Sequence, residues 1–413
     1  MTSFNIEQYR PGDALYLWWL GNPADPRLIG ELHVVRTNQG VSLTYDDRWL
    51  ATGFALSEDL PLQTGTYLPL LERTAAGAVD DARPDRWGEK VIRVLDKPVR
   101  LAVLDFLFYA GDERFGALGV SVSRDAYLAR TLGALPSIRD VDEIEKLIQS
   151  LLRGEDIDER KKRLIEPGTT LGGARPKALL DMDGHQWVLK FNELGESIDW
   201  PLVEHATMTL CARAGIRAAE TRPVKLNRGH AVAVRRFDRH DGLRTHALSA
   251  NVALRAAGEE LGYPQMAQLL RRRGVTQDRR GGRQMHELFR RMIFNILMDN
   301  TDDHEKNHAF LMTDEGHYDL SPAYDVLPAG QALGYQAMIV GDDVADSTLS
   351  NALSQHVLFG LKMSEARQQI QQVCDAVSTW KAHFATVGVT PGDIASLARQ
   401  IDRPFLLQQR ENV

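Results

Sequence analysis

Short runs of alternating apolar and polar positions fill residues 14–55, where ALYLWWL, ELHVVRT and VSLTY are separated by Gly, Pro and Asn. That two-residue period predicts a small antiparallel sheet. Farther on the period lengthens. Trp87, Val91 and Leu95 recur at four-residue steps and predict a helix across RPDRWGEKVIRVLD, and LAVLDFLFYAGD predicts another that ends near Gly111. The run RGEDIDERKKR at 153–163, broken only by Ile157, reads as a solvated helix face or linker. Strands return with PKALLDM and QWVLKF around Asp183-Gly184, a strong hairpin signal, and with TRPVKL and HAVAVRRF around Asn227-Arg228-Gly229. Between these pairs DWPLVEHATMTLCARAG has helical spacing, with Asp199 as a cap and Pro201 early in the first turn. After Phe237 the chain reads as helical almost to its end, and Met285, Leu288, Phe289, Met292, Ile293, Ile296 and Leu297 mark a buried helix face. The expected organisation is an α+β protein: an α/β domain over 1–125, a linker and β-rich lobe over 126–236, and a mostly helical lobe over 237–413.

Composition narrows the class without changing this picture. Of 413 residues, 43% are hydrophobic and 25% charged, which excludes a disordered or fibrous chain. A net charge of -7 argues against a protein that lives mainly on nucleic-acid phosphates. A local basic cluster does occur in RRRGVTQDRRGGRQ with Arg290 and Arg291, and it reads as a solvated loop, with contact to nucleic acid or to an acidic protein surface as the alternative. The only cysteines, Cys211 and Cys374, are far apart and offer neither a disulfide framework nor a Cys-based zinc site. MTSFNIEQYRPGD has neither part of a signal peptide and no apolar stretch reaches a membrane span, so a soluble cytoplasmic protein is expected.

Phosphoryl transfer needs a phosphate cradle, a cation on the nucleotide phosphates, oxygen ligands for a metal, and a carboxylate beside the attacking hydroxyl. The chain supplies these groups in order. Thr169-Thr170-Leu171-Gly172-Gly173-Ala174-Arg175 precedes a strand, and its small residues would let backbone N–H groups approach phosphate. Lys190 lies in the otherwise apolar strand WVLKF, where an unpaired charge is costly, and Glu204 follows fourteen residues later in a helix. The buried helix runs into DNTDDHEKN, where Asp302 and Asn307 are five apart, the kinase spacing of a catalytic Asp and a metal-binding Asn. Asp325 in YDLSPAYD adds a carboxylate eighteen residues after Asn307. One motif competes, because His304-Glu305-Lys306-Asn307-His308 also satisfies H-E-x-x-H, a zinc-hydrolase signature that requires an α-helix. Its position after a polar helix end, and the cation Lys306 beside the intended metal, weigh against zinc.

TDDHEKN, YDLSPAYDV, VRRFDRH and TLGGARPKALL together resemble the HipA-like serine/threonine kinases, toxins of bacterial toxin–antitoxin pairs; RPDRWGEKVI and GDERFGALGV resemble that family's N-terminal region. The resemblance implies a two-lobe, protein-kinase-like fold preceded by a small α/β domain. It makes Asp302 the catalytic carboxylate, Asn307 and Asp325 the Mg²⁺ ligands, and Glu204 the partner of Lys190. ATP would be held by Thr170, Gly172, Gly173, Ala174, Lys190, Lys306 and a hinge around Arg235, Arg236 and Phe237, with Phe237 facing adenine. Thr170 takes the place of the family's autophosphorylated Ser, Asp303 that of a Gly, and Arg235 that of a Glu. Implied too are growth arrest and persistence, a helix-turn-helix antitoxin that brings operator DNA, a protein substrate such as an aminoacyl-tRNA synthetase, and no membrane. The acidic, Gly-rich stretch 326–351 stands where a kinase activation segment would lie and is expected to place the substrate. His304 is expected to serve as a hydrogen-bonding residue of the catalytic loop. A kinase with a small-molecule acceptor and a non-catalytic partner of a DNA-binding repressor are the rival readings.

Overall fold

The computed structural model describes residues 12, 14–128, 130, 133–166, 173–329 and 331–411, in two compact units. The first comprises residues up to Leu194 together with Arg235–Leu248, and the second Gly195–Val234 with Ser249 onward.

In the first unit the alternating runs form β1 (Ala14–Trp19), β2 (Arg27–Val35), β3 (Gly40–Tyr45) and the short β4 (Thr66–Tyr67), joined by β5 (Leu118–Ser121) in an antiparallel sheet of order β4-β3-β2-β1-β5. Inward residues such as Leu15, Leu17, Leu32 and Leu43 build the core, the arrangement a period-two pattern dictates. Helix α1 (Asp47–Thr52) follows β3, and α2 (Arg86–Leu95) and α3 (Val103–Tyr109) are the expected helices. Helix α2 buries Trp87, Val91 and Leu95. The charge run begins at the end of α4 (Val141–Arg153), where Gly154 turns left-handed at φ 72°, and continues into a 3-10 turn over Glu159–Leu164. The hairpin of β6 (Lys177–Met182) and β7 (His185–Lys190) closes on Asp183 and Gly184 at φ 56° and 72°, the two left-handed positions of a type I′ turn.

Buried ion pairs fasten Arg235–Leu248 to the loop after α3. Asp238 accepts from the Gly116 amide at 2.8 Å, Arg236 at 2.8 Å and Arg239 at 2.9 Å. Burial alone would push the Asp238 carboxyl up, but the two guanidiniums outweigh it and hold the group well below the usual carboxylate range. Arg244 likewise pairs with Asp112 at 2.9 Å.

The second unit opens with α5 (Trp200–Arg213), started by Pro201 in its first turn. Asp199 does not cap this helix through its side chain; the carboxylate meets His230 Nδ1 at 2.6 Å instead. The hairpin of β8 (Thr221–Lys225) and β9 (His230–Arg235) follows. Then come α6 (Ala250–Ala256), α7 (Tyr263–Arg273) and α8 (Arg280–Leu297). Thus Arg271–Arg273 and the arginines from 280 to 291 stand on helices, which corrects the loop reading of that cluster. Arg280 meets Asp319 at 2.5 Å, and Arg291 meets Glu287 and the Ser321 carbonyl, each within hydrogen-bond distance. A further antiparallel pair, β10 (Ala309–Met312) and β11 (Tyr318–Leu320), interrupts the helical lobe. The chain ends in α9 (Leu349–Ser354), α10 (Met363–Ser378), α11 (Trp380–Val387), α12 (Pro391–Ile401) and α13 (Pro404–Glu411). Among the described residues no helix is long and apolar enough to cross a membrane.

Candidate active site

The phosphotransfer residues of the second unit hang from the end of α8. Its apolar face, from Met285 to Leu297, anchors the helix in the core, so the polar run that follows starts from a fixed point. Asp299 turns the backbone left-handed at φ 53° and the loop reaches Asp302, whose side chain is exposed. Asn307 closes a 3-10 turn over Glu305–Asn307 and donates from Nδ2 to the Asp302 carbonyl at 3.4 Å. The amide oxygen is therefore the atom with which Asn307 would hold a cation. Asp325, half-buried five residues beyond β11, also adopts a left-handed backbone, at φ 58°. An amide oxygen and a carboxylate are hard donors that suit Mg²⁺. The Tyr324 hydroxyl donates to the Lys306 carbonyl at 2.8 Å, tying the Asp325 strand to the loop.

Beneath the loop lies a buried polar network. Asp303, 1% exposed, accepts hydrogen bonds from the Tyr263 hydroxyl and from His308 Nε2, the latter at 2.9 Å. Asn295 donates to the Tyr263 oxygen at 3.0 Å, and Asn300 to Asn295 at 3.1 Å. Burial first, then the Asp303 carboxylate, pushes the Tyr263 phenol well above its ordinary value, so it stays a donor. Asp303 is thus a buttress whose carboxylate points into the protein. The hydrogen-bonding role expected of His304 falls instead to His308, since His304 Nδ1 is buried with no hydrogen-bond partner among the described residues. The H-E-x-x-H residues do not share an α-helical face, because His304 is extended and only a 3-10 turn follows.

In the first unit Gly173 and Ala174 lead into β6, whereas Thr170 and Gly172 lie outside the described residues. Asp85 Oδ2 accepts the Gly173 amide at 3.1 Å, and the Trp87 indole donates to the Lys177 carbonyl at 2.8 Å, so the start of α2 braces the exit of the Gly loop. Lys190 is buried in β7 and faces Lys177, also buried, directly across the β6–β7 ladder. Sequence reasoning missed Lys177; its signal was the Lys of ARPK together with the hairpin register. The pairing sets two buried ammonium groups side by side on one face of the hairpin. Glu204 is buried on α5 in the other unit. Phe237 is half-buried and packs edge-on against Phe115, with ring centroids 6.1 Å apart. Arg235 lies 3.1 Å from the His185 ring, while Arg236 is committed to Asp238 and to the Arg114 carbonyl and is not available to a ligand.

Residues 24–121 match the family model described as the HipA N-terminal domain, and residues 169–380 the HipA-like C-terminal domain. The curated serine/threonine-protein kinase toxin HipA of Shewanella oneidensis MR-1 is 24% identical over 360 residues, spanning 76% of this chain and 77% of the relative. A solved structure of HipA from Shewanella oneidensis MR-1, in complex with HipB and its operator DNA, shares the fold. Its TM-score is 0.67 at 20% identity, over 96% of this chain and 97% of that one.

Proposed function

Because this chain belongs to the HipA-like family, with the N-terminal and C-terminal HipA domains in tandem, we propose that it is an ATP- and Mg²⁺-dependent serine/threonine protein kinase, the toxin of a toxin–antitoxin pair. The observation that carries this reading is the form of the 299–307 loop: an exposed Asp302 on a backbone locked by buried polar contacts, with Asn307 bonded to its carbonyl. A preorganised carboxylate on a fixed frame is what phosphoryl transfer requires, since the protein's contribution is positioning and electrostatics.

In the proposed reaction Asp302 orients the acceptor hydroxyl and takes its proton. The hydroxyl oxygen bonds to the γ-phosphorus while the bond to the β-bridging oxygen breaks, and ADP leaves with the electron pair. Asn307 and Asp325 would hold Mg²⁺, which would supply charge neutralisation on the phosphates. Lys190, with Glu204 as its partner, contacts the phosphates, joined by Lys177, Lys306 and the Gly loop from Thr170 through Gly172, Gly173 and Ala174. Phe237 and Arg235 meet adenine. Thr170 is the autophosphorylation site. Residues 1–125 serve as the N-terminal domain, 126–236 as the linker and β-rich lobe, and 237–413 as the helical lobe. The antitoxin is a HipB-like helix-turn-helix protein that brings operator DNA, an inference supported by the solved relative's assembly. The acceptor is a cytoplasmic protein of translation such as an aminoacyl-tRNA synthetase, and its phosphorylation arrests growth.

The deciding experiment follows transfer of labelled phosphate from ATP with Mg²⁺, for the wild type and Asp302→Ala, alone and in a cell lysate, with mass spectrometry of the labelled sites. Label on Thr170 or on a lysate protein, absent with Asp302→Ala, is the expected result. A wild type that neither binds ATP nor transfers phosphate would overturn the reading.

A further inference from the structure

Arg403 stands between α12 and α13, outside the residues that match the family models. Its two terminal nitrogens go to different parts of the second unit. One donates to Asp299 Oδ1 at 2.6 Å, and the other to the Ala332 carbonyl at 3.0 Å. Asp299 is fully buried; its second carboxylate oxygen accepts from Gln400 of α12 at 3.2 Å, and its carbonyl accepts the Ala329 amide at 3.1 Å. The Phe405 ring lies 5.4 Å from the guanidinium carbon.

These contacts join two passages of chain that frame the proposed chemistry. Asp299 precedes Asp302 by three residues; Ala329 and Ala332 follow Asp325 by four and seven. Both passages are conformationally expensive. Asp299, Asp325 and Ala332 are all left-handed without being glycine, at φ 53°, 58° and 47°, a strained state that persists only where the surroundings enforce it. The C-terminal helices also grip the far end of the 326–351 stretch, because Gln409 of α13 accepts the Leu349 amide at 2.6 Å. A planar guanidinium is suited to this double attachment, since its fork reaches two acceptors at once while an ammonium acts as a point charge.

We infer that Arg403 is a positioning residue for phosphoryl transfer: it ties the chain entering the Asp302–Asn307 loop to the chain leaving Asp325 and so fixes the catalytic carboxylate relative to the metal-binding one. The inference rests on the kinase reading of Asp302, Asn307 and Asp325. It predicts a loss in kcat without a matching change in the KM for ATP, because the contacts of Arg403 go to Asp299, Ala332 and Phe405 and to none of the residues proposed to hold ATP.

The test uses the full chain with Arg403→Gln, Arg403→Lys and Asp299→Asn, measured by amide hydrogen exchange and by steady-state transfer from labelled ATP. For Arg403→Gln, exchange at the Ala329 amide is expected to rise about tenfold and kcat to fall about tenfold, with the KM for ATP within about twofold of wild type. Arg403→Lys is expected to recover only part of both, and Asp299→Asn, which keeps the shape and removes the charge, to move both in the same direction as Arg403→Gln. Unchanged exchange at Ala329 overturns the tether. Increased exchange with an unchanged kcat, or a loss that falls on the KM for ATP instead, overturns the positioning role. A wild type that transfers no phosphate sinks the kinase reading, whereas the exchange data still decide the tether.

Discussion

His308 Nε2 lies 2.9 Å from Asp303 Oδ2, so the residue beside the proposed catalytic Asp302 is bonded inward to the residue beside the proposed metal ligand Asn307. The Tyr263 hydroxyl reaches the same carboxylate oxygen. Asp303→Ala therefore strands two buried donors at once, and each unsatisfied group costs about 1–3 kcal/mol. A fall of several degrees in the melting temperature is expected, with a smaller fall for Asp303→Asn, which keeps an acceptor oxygen. Equal melting temperatures for Asp303→Ala and wild type, by calorimetry, would show that the network adds nothing to stability.

Asp85 makes a prediction about nucleotide affinity. Its carboxylate holds the Gly173 amide at 3.1 Å, and Gly173 itself sits at φ 80°, where a side chain is strained. Asp85→Ala should loosen the exit of the Gly loop and raise the KM for ATP severalfold while kcat stays near wild type. An unchanged KM, with the fold intact by circular dichroism, would remove Asp85 from the account of ATP binding.

The buried lysine pair yields a contrast between anions. If Lys177 and Lys190 form one phosphate-binding face, Lys177→Met should weaken ATP more than adenosine, because only the phosphates meet the ammonium groups. A loss of about tenfold for ATP, with adenosine affinity within about twofold, is expected by calorimetric titration. Equal losses for both ligands would point to a disturbed hairpin instead.

What the sequence made legible and what it did not follow from the range of the contacts. The Asp183-Gly184 hairpin, the helix from Trp87 to Leu95 and the Asp302–Asn307 spacing are local, and residue type with period was enough to read them. Lys177 became visible as a partner of Lys190 only through the strand register. The Asp85 contact to Gly173 spans 88 residues and the Arg403 contact to Asp299 spans 104, and no periodicity signals either. The H-E-x-x-H run was set aside because it follows a polar helix end, and the backbone there is a 3-10 turn, in which side chains four apart do not share a face as they would on an α-helix. That His308 and not His304 bonds to Asp303 is a matter of tertiary packing that neither spacing nor residue type signals.

His246 gives the pH dependence. It is buried with Nε2 donating to the Leu56 carbonyl at 2.9 Å, its ring lies 5.7 Å from that of Trp19, and its Nδ1 has no hydrogen-bond partner among the described residues. Burial, only partly offset by the Leu56 carbonyl, lowers its pKa from 6.5 to about 4. The unfolded chain therefore binds this proton more readily than the folded one. The stability due to neutral His246 is complete above about pH 6.5 and is lost as the pH falls towards 4, up to about 3 kcal/mol. His246→Gln keeps a donor for Leu56 and removes the titration. Between pH 7 and pH 4.5 the wild type should lose about 2–3 kcal/mol more than the variant, measured by urea unfolding followed by tryptophan fluorescence. Parallel pH curves for the two proteins would mean that His246 is already solvated in the folded state.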